Sequence, residues 1–333
     1  MVKTMSYTCV DLSSKIHDDQ FAKDVKTGLL ADNRYLPQKY TYDARGSKLF
    51  EKITQSDYYY IAKTEEAILR DNATDILNTF SSDLALIELG SGSAVKTQYL
   101  IESLLKQQRK ATFLPIDISK DFLFKHIEKL SQQHQELHVI GVAANYEVGL
   151  AALEKYIQQP KLIIWLGSDI GQLNYVQAAE FLKKNIVNVL NPEDKLLLGL
   201  DLKKNIDLLH KAYSCKEYPD ETHSAFTLNI LLRINQELEG DFDINAFQRQ
   251  GYYDEEAGCV RIYLTCLEAQ QHVTIKAIDL ALDFFPGDRI NLHTAYKYDQ
   301  SDIQNLAQAS GLCLKNQWFD QDHLFSMNLF SKP

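Results

Sequence analysis

The chain has 333 residues, 45% of them hydrophobic and 24% charged, with a formal net charge of −10, the profile of a globular enzyme of about two domains or of one elaborated domain. The acidic balance and the lack of a basic run exclude a nucleic-acid partner, and no apolar stretch is long enough to span a bilayer. Five scattered cysteines (Cys9, Cys215, Cys259, Cys266, Cys313) include no Cys-x-x-Cys pair and read as reduced thiols, so a cytoplasmic protein without disulfides, signal peptide or metal site is expected.

In chain order, residues 1–20 are polar and read as loose. A helix is predicted over Asp18–Leu30, a tyrosine-bearing loop over Pro37–Gly46 and a helix over Lys48–Thr54. Ile68, Leu69, Ile76 and Leu77 give Lys63–Phe80 helical spacing. Strands then alternate with helices: Leu84–Leu89, a helix carrying Tyr99, Leu100, Leu104 and Leu105, Thr112–Ile116, a helix at Asp121–Gln133, and His138–Ala143. A helix at Glu147–Ile157 leads to Lys161–Leu166, apolar enough for a central parallel strand, then a helix at Tyr175–Val189 and the strand Lys195–Leu200. This alternation marks a doubly wound parallel sheet. Beyond it, Asn205–Glu239 reads as helical, and Val260–Glu268 pairs with Val273–Leu282 around a turn. Ser301 is placed to cap a helix at Ser301–Ser310, and Leu312–Trp318 with Phe325–Phe330 forms a terminal hairpin. Neither repeats nor Gly/Ser linkers interrupt the order.

The chemistry-bearing stretch is Leu84–Thr97, LALIELGSGSAVKT, followed by FLPIDIS at Phe113–Ser119. A strand ending in Glu88, a Gly-Ser-Gly turn, a helix and a second strand ending in Asp117 make a nucleotide-binding unit, with glycines for backbone approach and an acid for ribose hydroxyls. A dinucleotide loop needs a third glycine, and a phosphate loop needs Gly before Lys-Thr; Val95 stands at both places. S-adenosylmethionine has no phosphate to cradle and suits the loop best. An ordinary turn in a buried strand–helix unit and a nicotinamide-dependent oxidoreductase are the competing readings.

The segment Leu36–Leu69, LPQKYTYDARGSKLFEKITQSDYYYIAKTEEAIL, resembles the signature of the histidine-specific S-adenosylmethionine-dependent methyltransferase family, whose best-known member makes trimethylhistidine for ergothioneine synthesis. The likeness continues through IELGSGSAVKT, PIDIS, IIWLGSDIGQL, LLLGLDLKK, HKAY, NQELEGDFD and HTAYKY, in the family's order over nearly the whole chain. It implies an α/β fold: a Rossmann-like, seven-stranded class I methyltransferase sheet whose seventh strand is antiparallel, with a second, smaller α+β substrate-binding lobe. The expected division is 65–201 plus 298–333 for the cofactor domain and 18–64 plus 202–297 for the lobe. A monomer is implied, acting on a small-molecule amino acid.

Carried over residue by residue, the resemblance sets Gly90 and Gly92 at the methionine end and ribose of S-adenosylmethionine, Lys96 at its carboxylate and Asp117 at the ribose hydroxyls. Asn145 and Tyr146 stand where the family has an acid and an aromatic for adenine, and Gly167 and Ser168 line the cofactor. Tyr42, Tyr59 and Tyr213 are expected around the amino acid, with Tyr213 on its carboxylate. Gln172 replaces the family's asparagine that orients amine and carboxylate. His293-Thr294-Ala295 replaces the Glu-x-Ser that reads imidazole, so both His293 and Ala295 are candidate substrate contacts, and Asp169 is a possible substitute reader. Losing hydrogen-bonding partners at such a position costs recognition steeply.

The implied reaction is N-methylation of an α-amine, yielding S-adenosylhomocysteine, with Tyr42 and Gln172 as catalytic candidates. It demands placement of a neutral amine more than acid–base work. Histidine is the substrate the family implies; another, possibly aromatic, amino acid or small amine is the alternative, and a non-catalytic cofactor-binding sensor lies outside the class.

Overall fold

The computed structural model describes residues 7–13, 20–92, 94–108, 110–215, 218–267 and 270–333. In chain order these form β1 (Tyr7–Asp11), α1 (Gln20–Leu30), α2 (Ala44–Gln55) and α3 (Tyr60–Leu77). The alternating run follows: β2 (Ala85–Leu89), α4 (Gln98–Gln107), β3 (Ala111–Asp117), α5 (Lys120–Gln133), β4 (Leu137–Ala143), α6 (Tyr146–Ala151), β5 (Lys161–Trp165), α7 (Tyr175–Phe181) and β6 (Lys195–Asp201). Two helices, α8 (Ile206–Ala212) and α9 (Glu221–Glu237), precede five strands: β7 (Phe247–Asp254), β8 (Cys259–Cys266), β9 (Gln271–Ile275), β10 (Leu280–Phe284) and β11 (Arg289–Tyr296). The chain ends in α10 (Gln300–Ser310), β12 (Cys313–Phe319) and β13 (Phe325–Ser331).

The chain divides into two compact units. The first comprises Ile61–Lys203, Tyr298–Pro333 and the described part of Met1–Ile16. It is built on one sheet of eight strands in the order β1-β4-β3-β2-β5-β6-β13-β12. Neighbours from β1 to β6 run parallel, while β13 is antiparallel to both β6 and β12. Every residue of β2 and β5 is buried, as parallel strands covered by helices on both faces require. The strand order reverses between β2 and β5, and the carboxyl ends of those strands are where an open α/β sheet binds its ligand.

The sheet departs from the seven-stranded expectation by one edge strand. Tyr7–Asp11, read as loose, pairs in parallel with β4; residues 1–6 and 14–19 of that polar stretch lie outside the described residues. The cap of α10 is also corrected. Asp299, not Ser301, accepts from the Asp302 amide at 2.9 Å, and Asp302 returns the bond in a capping box.

The second unit comprises Lys204–Lys297 and the described part of His17–Tyr60. Its three-stranded antiparallel sheet has the order β11-β8-β7, beside a separate β9–β10 hairpin. Val25, Leu29, Leu36, Ile230, Ile234, Phe247, Leu264 and Phe284 are among its buried core. The expected pairing of Val260–Glu268 with Val273–Leu282 is overturned: β8 pairs with β7 and β11, and the second segment folds on itself as β9 and β10. The cause is local, because a 3-10 turn over Lys276–Ile278 ends at Asp279 with φ of 49°, breaking the apolar run. Glu268 lies outside the described residues.

Candidate active site

In the first unit the chain leaves β2 through Gly90 and Gly92, with φ of 68° and 51°, and leaves β5 through Gly167 at 73°. Only glycine holds this left-handed region without strain. A Cβ on Gly90 would lie 2.5 Å from Tyr146 Oη, whereas one on Gly92 or Gly167 would meet nothing within 4 Å. Backbone at those two positions therefore faces open space. Asp117, ending β3, accepts from the Gly92 and Ser119 amides at 3.0 and 2.8 Å. Burial raises its pKa, and the two amides work against the rise.

Two further carboxylates organise this edge, and neither was singled out from the sequence. Glu65 on α3 is fully buried; it accepts from the Gly167 amide at 2.7 Å and from the Lys96 ammonium. It thus joins α3, the turn before α4 and the loop after β5. Its signal lay in the helix pattern, since Ile61, Glu65, Ile68 and Leu69 share one buried stripe. Glu88 accepts from Thr97 Oγ1 at 2.5 Å, while its Oε2 and the Ser91 hydroxyl are buried without a partner among the described residues. Burial pushes the Glu88 pKa up to about 8, against the Thr97 bond.

The loop after β5 carries a second network. Ser168, at φ of 55°, accepts from the Asp201 amide at 2.9 Å. Asp169 accepts from Tyr146 Oη at 2.9 Å, Trp165 Nε1 at 3.3 Å and the Gln172 side-chain amide. Burial raises its pKa and the three donors oppose the rise. Gln172 donates its Nε2 to Asp169 and so leaves its Oε1 for another donor. Asn145 caps α6, its side-chain oxygen accepting from the Val148 amide at 2.9 Å, and Tyr146 packs edge-on against Trp165 at 5.4 Å. Gly90, Gly92, Lys96, Asn145, Gly167, Ser168 and Gln172 thus lie beyond the carboxyl ends of β2, β4 and β5, with Asp117 ending β3 and Tyr146 opening α6.

In the second unit the predicted aromatic residues form one continuous cluster. Tyr42 meets Phe226 and Phe50 edge-on at 5.2 and 5.3 Å, Phe50 meets Tyr59 at 6.1 Å, and Tyr59 meets Tyr213 at 6.3 Å. His293 stacks on Tyr213 at 6.2 Å. A bulge between Asn291 and His293 shifts the register of β11, the device by which a strand re-aims a side chain. His293 Nδ1 is buried without a partner among the described residues. Burial, then the charges of Lys297 and Arg249, push its pKa down to about 3, so the ring is neutral. Ala295 is buried on the same strand. Two cations missed in the sequence stand here: Lys297 donates to Tyr213 Oη at 2.5 Å, and Arg249 donates to the backbone oxygens of Tyr213 and Ser214.

Residues 21–332 match the family described as histidine-specific methyltransferase, S-adenosylmethionine-dependent. The chain belongs to that family. A histidine N-alpha-methyltransferase of Mycolicibacterium smegmatis is 31% identical over 307 residues, covering 92% of this chain and 93% of that protein. A 4-dimethylallyltryptophan N-methyltransferase of Trichophyton verrucosum is 25% identical, covering 93% and 92%. A solved S-adenosylmethionine-dependent methyltransferase from Clostridium acetobutylicum superposes with a TM-score of 0.44 at 12% identity, covering 86% of this chain and 98% of that one.

The methyltransferase is an S-adenosylmethionine-dependent N-methyltransferase, and the first unit fits that cofactor. Open space before the Gly92 and Gly167 backbone admits a ligand, and the orphaned Glu88 Oε2 and Ser91 Oγ offer polar atoms at the same turn. Among the described residues no helix is long and apolar enough to cross a membrane.

Proposed function

We propose that this methyltransferase methylates the α-amine of a free amino acid, histidine or a close relative. The observation that carries the reading is the aromatic cluster ending on Tyr213 and the neutral His293. Gly90, Gly92, Lys96, Asp117, Asn145, Tyr146, Gly167 and Ser168 are assigned to the cofactor, and Tyr42, Tyr59, Tyr213, Gln172, His293 and Ala295 to the amino acid. When bound, the cofactor supplies a methyl group already activated on a sulfonium. The protein's part is orientation: Gln172 Oε1, left for another donor while Nε2 donates to Asp169, accepts an amine N–H. Tyrosine faces hold the amine as it gains positive charge, since the ring quadrupole attracts a cation without hydrogen bonds. Tyr213 takes the substrate carboxylate.

A second reading rests on His293. A neutral imidazole in place of the family's Glu-x-Ser offers no charge to an imidazolium, which favours an amino acid with a different side chain. The relative named for 4-dimethylallyltryptophan agrees with such a change. Scattered cysteines without a Cys-x-x-Cys pair and a net charge of −10 suit a reducing cytoplasm, and we place the enzyme there as a monomer.

The deciding test is mass spectrometry of purified enzyme with S-adenosylmethionine and a panel of free amino acids, scoring added methyls and S-adenosylhomocysteine. Methylated histidine as the dominant product supports the first reading, and a different dominant amino acid supports the second. Cofactor binding without turnover on any member would replace both with a sensor.

A further inference from the structure

Lys297 directly follows β11 and is one of the largest fully buried side chains, at 1% exposure. Burying an ammonium is unfavourable unless its surroundings compensate for the lost hydration. Its Nζ donates to Tyr213 Oη and lies 4.2 Å from the centre of the same ring. A lysine ammonium has three donors and no acceptor, so the phenol oxygen accepts here and its own proton must be donated elsewhere. Arg249, half-buried, clamps the other end of the residue through the Tyr213 and Ser214 carbonyls and braces itself on Thr227 Oγ1 at 3.1 Å. Tyr213 is therefore fixed at backbone and hydroxyl by two cations. Burial lowers the pKa of the adjacent His293, and the charges of Lys297 and Arg249 add to the fall.

We infer that Lys297, acting through Tyr213, positions the substrate's carboxylate and makes a free carboxylate a condition of efficient turnover. Lys297 is a positioning residue: it fixes the direction of the Tyr213 donor and adds positive potential where an anion would sit. The inference rests on the amino-acid reading above and narrows it, excluding decarboxylated amines, esters and residues inside a peptide.

The test compares an amino acid accepted by the wild type with its decarboxylated amine, histidine with histamine being the first pair. In the wild type the amine is expected to have a kcat/KM at least about tenfold lower, the discrimination available from one charge-assisted hydrogen bond. Lys297→Met should raise KM for the amino acid about tenfold or more, change KM for the amine little, and so collapse the preference; Lys297→Arg should restore part of it. Tyr213→Phe should produce the same collapse, and adding Lys297→Met to it little more. Equal losses on both substrates, or a preference left intact, would overturn the inference. Should Lys297→Met fail to fold, the wild-type comparison still decides, because equal turnover of acid and amine sinks the inference unaided. A wild type that methylates no amino acid at all overturns the parent reading, and this one with it.

Discussion

At the scale of single residues, Glu65 has the clearest consequence for cofactor binding. Its two oxygens hold the Gly167 amide and the Lys96 ammonium, so one buried carboxylate fixes both the open loop after β5 and the lysine expected at the cofactor's carboxylate. Glu65→Gln keeps the shape but faces the ammonium with a neutral amide. Isothermal titration should show S-adenosylmethionine affinity falling about tenfold, the worth of a charge-assisted bond. Lys96→Met should lose a similar amount, and the double variant little beyond either, because the pair acts as a unit. Wild-type affinity in Glu65→Gln would remove Glu65 from the site. The glycines and Asp117 were picked out by the spacing of the nucleotide-binding unit, and the tyrosines by the family resemblance. Glu65 and Lys297 were not, because a charge on a core face becomes informative only when its partner is known. Each left a trace: Glu65 interrupts the apolar stripe of α3, and Lys297 keeps the inward parity of Ala295 beyond the end of β11.

At the scale of elements, the strands of the first unit's parallel sheet were readable, whereas of the second sheet only β8 was read as a strand and its pairing was not. β2, β3, β5 and β6 are apolar runs that need no partner to be recognised. β7 and β11, FQRQGYYD and RINLHTAY, mix long polar side chains into half-buried faces, so their strand character comes from pairing with β8. β1 is a five-residue edge strand whose exposed pattern carries no alternation. The start of α10 was misread for a related reason: Asp299 and Ser301 are both good caps, and only backbone geometry separates them. Asp299→Ala should therefore cost about 1–2 kcal/mol in urea unfolding, and Ser301→Ala at most about 0.5 kcal/mol. Equal costs would mean that the capping box does not govern that helix.

Across the whole molecule, the two units gather opposite charges. The first unit gathers Glu65, Glu88, Asp117 and Asp169 near loops proposed to hold a cationic cofactor, while the second sets the buried Lys297 and the half-buried Arg249 around a tyrosine proposed to hold a carboxylate. The acidic edge has a cost that depends on pH. Folding raises the Glu88 carboxyl from its ordinary 4.5 to about 8, so the native state holds a proton that the unfolded chain releases. Between those values the folded protein binds more protons than the unfolded one, and stability falls as pH rises through the window. Asp117 and Asp169, also raised, contribute with the same sign, whereas Asp299, held low by Lys203 and Ser301, loses its contribution only at acid pH. Glu88→Gln removes this buried titration while leaving an oxygen for the Thr97 hydroxyl. Melting temperatures of the cofactor-free proteins, taken from about pH 5 to about pH 9, should decline less steeply for the variant than for the wild type. The gap between them should widen up to about pH 8 and then level off, as the shifted carboxyl completes its ionisation. Parallel curves would mean that Glu88 is already ionised in the native state, which would make its unpartnered oxygen a buried negative charge rather than a neutral acid.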